Sequence, residues 1–415
     1  MKKILLSLLV LAAFATAGFA DQSHYQRYVV GARAAGMGGA AVAGGEGVDA
    51  SYYNPAGLAE TLHDSLSLSA NLYGLQRYRI KNGLSSGESA KSDAFVTIPG
   101  ALGGIWRLGD RLVGSFSVFQ PNRHSTGEIT SKDNGGRLYS YSTEDQSMWI
   151  GPSMAYKATD SLHLGVSVFG VHSSYKTSEA QANVQENSML NAQMQFETTS
   201  ILGMMGAQWL LPYDWRVGLA LQSPGLSVAH DGKLSMAIAE EGETLTYFTD
   251  DLDSKEDIPM KVAVGIARQR PQEFGYGLDL TYHPSQSHKA IGMNVYGQDI
   301  NYWIRRHDVV DVNLGGEYYI LGKFPIRAGF YTSFSAAKEI ERDDALATSD
   351  IDLYGATFSI GFENERTAVN LGLNAMYGDG DDISQAGGLD DDGSSRRSDA
   401  TASEILVTLS TSYYF

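Results

Sequence analysis

Few residues in this 415-residue chain have the types and spacing for chemistry. Gly83-Leu84-Ser85-Ser86-Gly87 fits the Gly-x-Ser-x-Gly nucleophile elbow, which works only where a strand-to-helix turn lifts the serine. Its small polar surroundings read as a surface loop, and a hydrolase acting through Ser85 is the enzymatic alternative. His283 and His288 lack the His-Glu-x-x-His spacing of a zinc site and are expected to be solvated. Asp379-Gly380-Asp381-Asp382 and Asp390-Asp391-Asp392-Gly393 offer the hard oxygens that Ca²⁺ prefers, without the twelve-residue signature that closes on Glu. The 379–399 stretch therefore reads as an acidic loop whose charge Arg396 and Arg397 offset, with Ca²⁺ binding open. Gly36-x-Gly38-x-x-Ala41 has dinucleotide spacing but not the strand-turn-helix unit that spacing serves. No catalytic residue, metal or cofactor is assigned.

The elements that would hold such residues belong to an exported chain. Lys2 and Lys3, the apolar run Ile4–Ala15 and the small residues around Phe19 predict a signal peptide, residues 1–20, cleaved after Ala20. Losing its two lysines takes the formal charge from −17 to −19, which speaks against a nucleic-acid partner. With no Cys there are no disulfides, thiolate metal sites or cysteine nucleophiles. Beyond the leader no apolar run reaches the length of about 18 residues that a transmembrane helix needs. A barrel remains open, since only alternate residues face lipid, and a mean hydropathy of −0.19 suits one.

Two-residue periodicity favours that barrel over a soluble β protein. In the last strand, 405, 407, 409, 411, 413 and Phe415 form one largely apolar face, while Ser410 and Ser412 lie on the other. Similar alternation predicts fourteen strands near 64–80, 93–107, 111–121, 146–157, 161–176, 194–211, 215–229, 259–268, 274–283, 308–321, 325–335, 350–363, 367–378 and 404–415. Short turns such as 108–110, 158–160, 212–214, 322–324 and 364–366 alternate with long polar loops at 122–145, 177–193, 230–258, 284–307 and 379–403. That sorting suits a barrel threaded from one side of a membrane. Residues 234–248 and 289–304 could add two strands and are read as loop structure. Trp106, Trp209 and Trp215 flank the short turns, where an aromatic girdle would sit.

In this register Arg216, Gln222, Lys261, Asp279, Asn313, Glu317, Arg327, Asn370 and Asn374 point into the lumen. They read as a structural ion-pair ladder, with Arg327 or Lys261 as the alternative partner for a substrate carboxylate. Met189, Leu190, Met194, Met236, Ile238, Leu245 and Phe248 put apolar groups on the long connections, as a capture site or as mutual packing in a loop lid. Pro99, Gly100, Gly103, Gly104 and Pro121 mark where strand pairing is easiest to interrupt.

Residues 30–43 are small and Gly-rich, and Asp49-Ala50-Ser51-Tyr52-Tyr53-Asn54-Pro55-Ala56-Gly57-Leu58-Ala59 follows them. Here the sequence resembles the FadL-type (OMPP1/FadL/TodX) family of outer-membrane transporters for hydrophobic compounds, through Asn54, Pro55 and Ala56. Looser similarity lies in Gly151-Pro152-Ser153-Met154-Ala155-Tyr156-Lys157 and Leu221-Gln222-Ser223-Pro224-Gly225. The resemblance implies an all-β transmembrane barrel, residues 62–415, with an N-terminal hatch at 21–61 in its lumen. It implies passive uptake of hydrophobic small molecules such as long-chain fatty acids or aromatic hydrocarbons across the bacterial outer membrane, with a lateral opening at a kinked strand. Expected partners are the substrate, outer-membrane lipid and lipopolysaccharide, and the barrel assembly machinery through Phe415. PorV-like barrels that assist exported proteins share the Gly-rich opening and are the alternative.

Overall fold

A computed structural model describes residues 23–82, 89–132, 137–183, 185, 187–240, 243–250, 252–254, 257–295, 298–338, 349–383 and 397–415. Its strands in chain order are β1 (Ser65–Ile80), β2 (Ala90–Arg107), β3 (Leu112–Lys132), β4 (Arg137–Lys157), β5 (Leu162–Asn183), β6 (Ser188–Leu210), β7 (Trp215–Gln222), β8 (Leu226–Glu240), β9 (Glu243–Thr249), β10 (Asp253–Ser254), β11 (Lys261–Arg270), β12 (Phe274–His283), β13 (Gln286–Val295), β14 (Gln298–Arg306), β15 (Val309–Ile320), β16 (Phe324–Ser333), β17 (Asp350–Glu363), β18 (Thr367–Ile383) and β19 (Arg397–Tyr414).

Fourteen of them, β1–β7, β11, β12 and β15–β19, form an antiparallel ring that closes where β1 pairs with β19. The ring forms because each strand has one face for lipid and one for the interior. On β5, Val166 and Val168 are exposed while Ser167 and Phe169 are buried. Leu409 faces out and Ser410 in, as the terminal alternation predicts. Closure removes the unpaired edges that no membrane core tolerates.

The boundaries differ from expectation in an instructive way. The described residues of 234–248 and 289–304 are strands rather than loop, but they stay outside the ring. There β8 pairs with the end of β6 from Ser188 to Ile201 and with β9, and β13 pairs with β14 and β10. Much of 122–145, 177–193 and 379–403 is not loop either, because β3–β6, β18 and β19 run on as hairpins. Past the apolar band the outward face carries polar side chains while residues such as Tyr175 and Phe196 stay buried on the other, so the lipid-facing alternation disappears while backbone pairing continues. Residues 215–229 break at Ser223-Pro224-Gly225, and Pro121 lies inside β3 rather than ending it.

Residues 23–61 fold as short helical turns, Arg33–Gly36, Gly47–Asp49, Ala50–Tyr53 and Pro55–Glu60, joined by coil. Asp49 Oδ2 accepts from the N–H groups of Ala32, Arg33 and Ala34 at 3.0, 3.0 and 2.9 Å, satisfying the donors that open the first turn. Asn54 caps the last turn by accepting from Ala56 N at 3.1 Å, and Pro55 needs no partner at the first helical position. The segment touches strands all around the ring. Ser69 on β1, Ser167 on β5, Gln208 on β6, Asn313 on β15 and Thr357 on β17 each bond to its backbone. A segment held from every side of a closed ring lies within it. Gly315 and Gly329 permit the contact, since a Cβ there would stand 2.1 Å from Met37 O and 2.2 Å from Gly38 N.

Candidate functional site

The interior holds a polar floor and an aromatic cluster. At the short-turn end, Arg327 Nε donates to Glu317 at 2.9 Å, Nη1 to Asn370 at 2.6 Å, and Nη2 to Glu363 at 2.7 Å and to the Tyr319 hydroxyl at 3.2 Å. Arg33 of the N-terminal segment reaches the same Glu317 carboxylate through Nε, at 3.1 Å, and Nη2. Arg216 pairs with Glu60 at 3.2 Å. Arg327 is 1 % exposed with its donor groups engaged, so it ties the segment's floor together rather than waiting for an anion. Asp279 on β12 accepts from Ala41 N and Val42 N at 2.6 and 2.7 Å, and Asn54 Nδ2 donates to Val42 O and to Ala207 O on β6. Gln222, Asn313, Glu317, Asn370 and Asn374 are buried as the register requires.

Above this floor Tyr52 projects into an aromatic cluster. Its ring lies 5.4 Å from Phe119 on β3 and 5.4 Å from Trp149 on β4, and Phe169 on β5 closes the group at 5.9 Å from Trp149. Lys261 Nζ stands 5.1 Å from the Tyr52 ring. It is buried, with no ion-pair partner among the described residues. The cluster thus sets packed aromatic surface beside one buried cation, groups that contact apolar and acidic parts of a molecule respectively. Sequence reasoning missed this cluster, although Phe119, Trp149 and Phe169 all fall on the inward phase of their strands.

The wall is split beside that cluster. β2 and β3 pair from Arg107↔Val113 up to Ala101↔Phe119 and no further, although β2 continues to Ala90 along β1 and β3 continues to Lys132 along β4. Gly100 has no partner between Ala101↔Ser69 and Pro99↔Ala70, which makes it the extra residue of a bulge. Pro121 lies in a second irregularity, between Phe119↔Trp149 and Asn122↔Ser147. Pro99, Gly100 and Pro121 thus flank the split. Gly103 and Gly104 lie below it, paired with Ser117 and Phe116.

The apolar residues of the long hairpins divide by face. Met194 and Met236 are buried with Tyr175, Phe196, Leu252 and Ile291, with Leu190 and Ile238 packed against them. Met189, Leu245 and Phe248 are exposed. His283 and His288, expected in water, are buried. The His283 ring stacks on Tyr25 at a centroid distance of 4.4 Å, because the N-terminal segment reaches the hairpin end of the barrel. Trp106 and Trp209 face outward near the short turns. Ser85, residues 1–20, Arg396 and Asp390–Asp392 lie outside the described residues.

A family model described as outer membrane protein transport protein (OMPP1/FadL/TodX) matches residues 9–415. The chain belongs to this family. No curated protein sequence matches it. Among solved structures it is similar to the Pseudomonas putida toluene transporter TodX, with a TM-score of 0.71 and 15% identity over 94% of this chain and 99% of that one. It is also similar to a Pseudomonas aeruginosa FadL homologue, with a TM-score of 0.67 and 15% identity over 96% and 100%. The Ralstonia pickettii toluene transporter TbuX gives 0.62 and 17% over 97% and 100%. These likenesses show a shared fourteen-stranded barrel. Membership of the OMPP1/FadL/TodX family places the protein in the outer membrane, among transport channels rather than enzymes.

Proposed function

We propose that this family member carries hydrophobic small molecules passively across the outer membrane, with residues 21–61 as a hatch that blocks the straight path and the split between β2 and β3 as the way out. The single observation behind this reading is the ladder that stops at Ala101↔Phe119 beside the Tyr52–Phe119 contact. A molecule resting on the aromatic cluster there faces lipid, not the polar floor. Met189, Leu245 and Phe248 offer capture surface on the hairpins, and flexible apolar side chains accept varied ligands. Lys261, rather than the saturated Arg327, is the group to meet a carboxylate, which favours long-chain fatty acids. Aromatic hydrocarbons would use the same aromatic cluster without it.

The chain has no cysteine, so a single one can be labelled uniquely. Gly100→Cys, alkylated with a bulky maleimide in cells, should lose uptake of both a long-chain fatty acid and toluene. The same label on Leu102→Cys, exposed in the paired part of β2, should leave uptake intact. Full uptake through the labelled Gly100→Cys protein would refute the lateral route. Absence of uptake by the unmodified protein would refute transport itself.

A further inference from the structure

The outer face of β1 and β2 changes character abruptly. Among the described side chains of β1, Leu66 and Leu68 and then Tyr73 and Leu75 make the outward face apolar, ending near the edge-to-face pair of Tyr73 and Phe95 at 5.2 Å. That stretch climbs about 30 Å along the strand, or roughly 23 Å of membrane depth at a barrel tilt of about 40°, close to the apolar band of such proteins. The next outward positions are Arg77 and Arg79 on β1, Lys81 just beyond it, and Asp93 and Lys91 on β2, all exposed. These four cations gather at the lipid boundary of a chain whose formal charge is −17.

Their pairing is incomplete. Arg77 Nε stands 3.6 Å from Asp93 and Lys81 Nζ 3.3 Å from Asp399, in largely exposed pairs of the kind that contribute little. Arg79 and Lys91 lie directly opposite each other in the ladder, and neither has an ion-pair partner among the described residues. Like charges at such close cross-strand spacing destabilise a sheet unless an anion sits between them. The same transverse row continues through Thr401 to Asp379 on β18 and Asp352 on β17, which repel an anion and confine it to the β1–β2 end.

We propose that Arg79 and Lys91, with Arg77 and Lys81 beside them, bind the phosphate groups of a phosphorylated glycolipid in the outer leaflet, the lipid-A portion of lipopolysaccharide. The position decides the source. Phosphates of that lipid lie at the upper edge of the apolar band, where this face turns cationic, and its acyl chains would run down along Tyr73 and Phe95. Two guanidinium and two ammonium groups supply charge-assisted donors to a phosphate.

The test reads lipid binding, so its outcome is separate from that of the transport reading. Native mass spectrometry of the detergent-solubilised protein, titrated with purified bis-phosphorylated lipid A, should show bound lipid. The fully dephosphorylated lipid should bind about tenfold more weakly, as loss of charge-assisted contacts implies. The Arg79→Ser/Lys91→Ser protein should lose the phosphorylated lipid by a similar factor while keeping the heat-modifiable mobility of a folded barrel. Lys91→Glu should also lose the lipid and should raise the denaturant midpoint, because Arg79 then gains an internal partner. Equal binding by variants and wild type, indifference to the phosphates, or displacement by equimolar inorganic phosphate would each overturn the proposal, the last by showing a free-anion site.

Discussion

Lys261 Nζ lies 5.1 Å from the centre of the Tyr52 ring, so a buried cation on β11 meets the N-terminal segment through an aromatic face and not through a carboxylate. The contact joins the wall to the aromatic cluster that Phe119, Trp149 and Phe169 complete. It also leaves the ammonium with the charge that an acidic substrate would need.

Lys261→Gln should therefore separate two substrate classes. Uptake of a long-chain fatty acid at limiting concentration should fall by about tenfold, the order expected for losing one charge-assisted contact, while uptake of toluene should change little. Radiolabelled uptake of both compounds by cells expressing each protein measures this. An equal loss of both would assign Lys261 to packing.

Arg327→Met should loosen the floor, since removing one partner of a buried ion pair strands the other's charge. Glu317 keeps only Arg33, and Glu363 loses the bond at 2.7 Å. The expected penalty is about 3–5 kcal/mol, with Glu317→Gln similar in direction. Denaturant midpoints in detergent read the stability. Faster proteolysis of residues 23–61 would show that the damage falls on the inner segment, and an unchanged midpoint would contradict the network's role.

Leu409 and Leu371 are paired neighbours that both face outward. Leu409→Arg should cost about 2–4 kcal/mol if this row lies near the bilayer midplane, and Leu409→Ala much less. Heat-modifiable mobility after folding into lipid vesicles compares the three proteins. Folding as good with arginine as with leucine would displace the membrane band from this row.

Ser51 Oγ and Ser115 Oγ stand 3.2 Å apart, one on the inner segment and one on β3. A Ser51→Cys/Ser115→Cys disulfide should lock the two together. With a lateral exit, uptake should persist in the oxidised cells at close to the reduced rate. Loss under oxidation with recovery on reduction would mean that the segment must move.

The barrel was legible because its cause is local: a strand between lipid and lumen alternates every second residue, so Val166 against Ser167 and Leu409 against Ser410 declare their faces without any partner in view. The same phase placed Arg216, Lys261, Asp279, Glu317 and Arg327 inside, and Asn54-Pro55-Ala56 marked the inner segment through its likeness to a family. The lipid-facing alternation ended with the apolar band, so the hairpin extensions of β3–β6 passed for loops, and the short apolar alternations of 234–248 and 289–304 read as loop structure. Tertiary structure alone decided which inward charges are satisfied. Arg327 and Lys261 have the same phase and sign, but one is ringed by Glu317, Glu363 and Asn370 while the other faces Tyr52, and those partners come from distant strands and from the inner segment. It also buried His283 under Tyr25 and stopped the β2–β3 ladder at Ala101. Glycine and proline showed where pairing was weak. Whether two strands part depends on the path each takes along its other neighbour, a relation between segments that no single segment encodes.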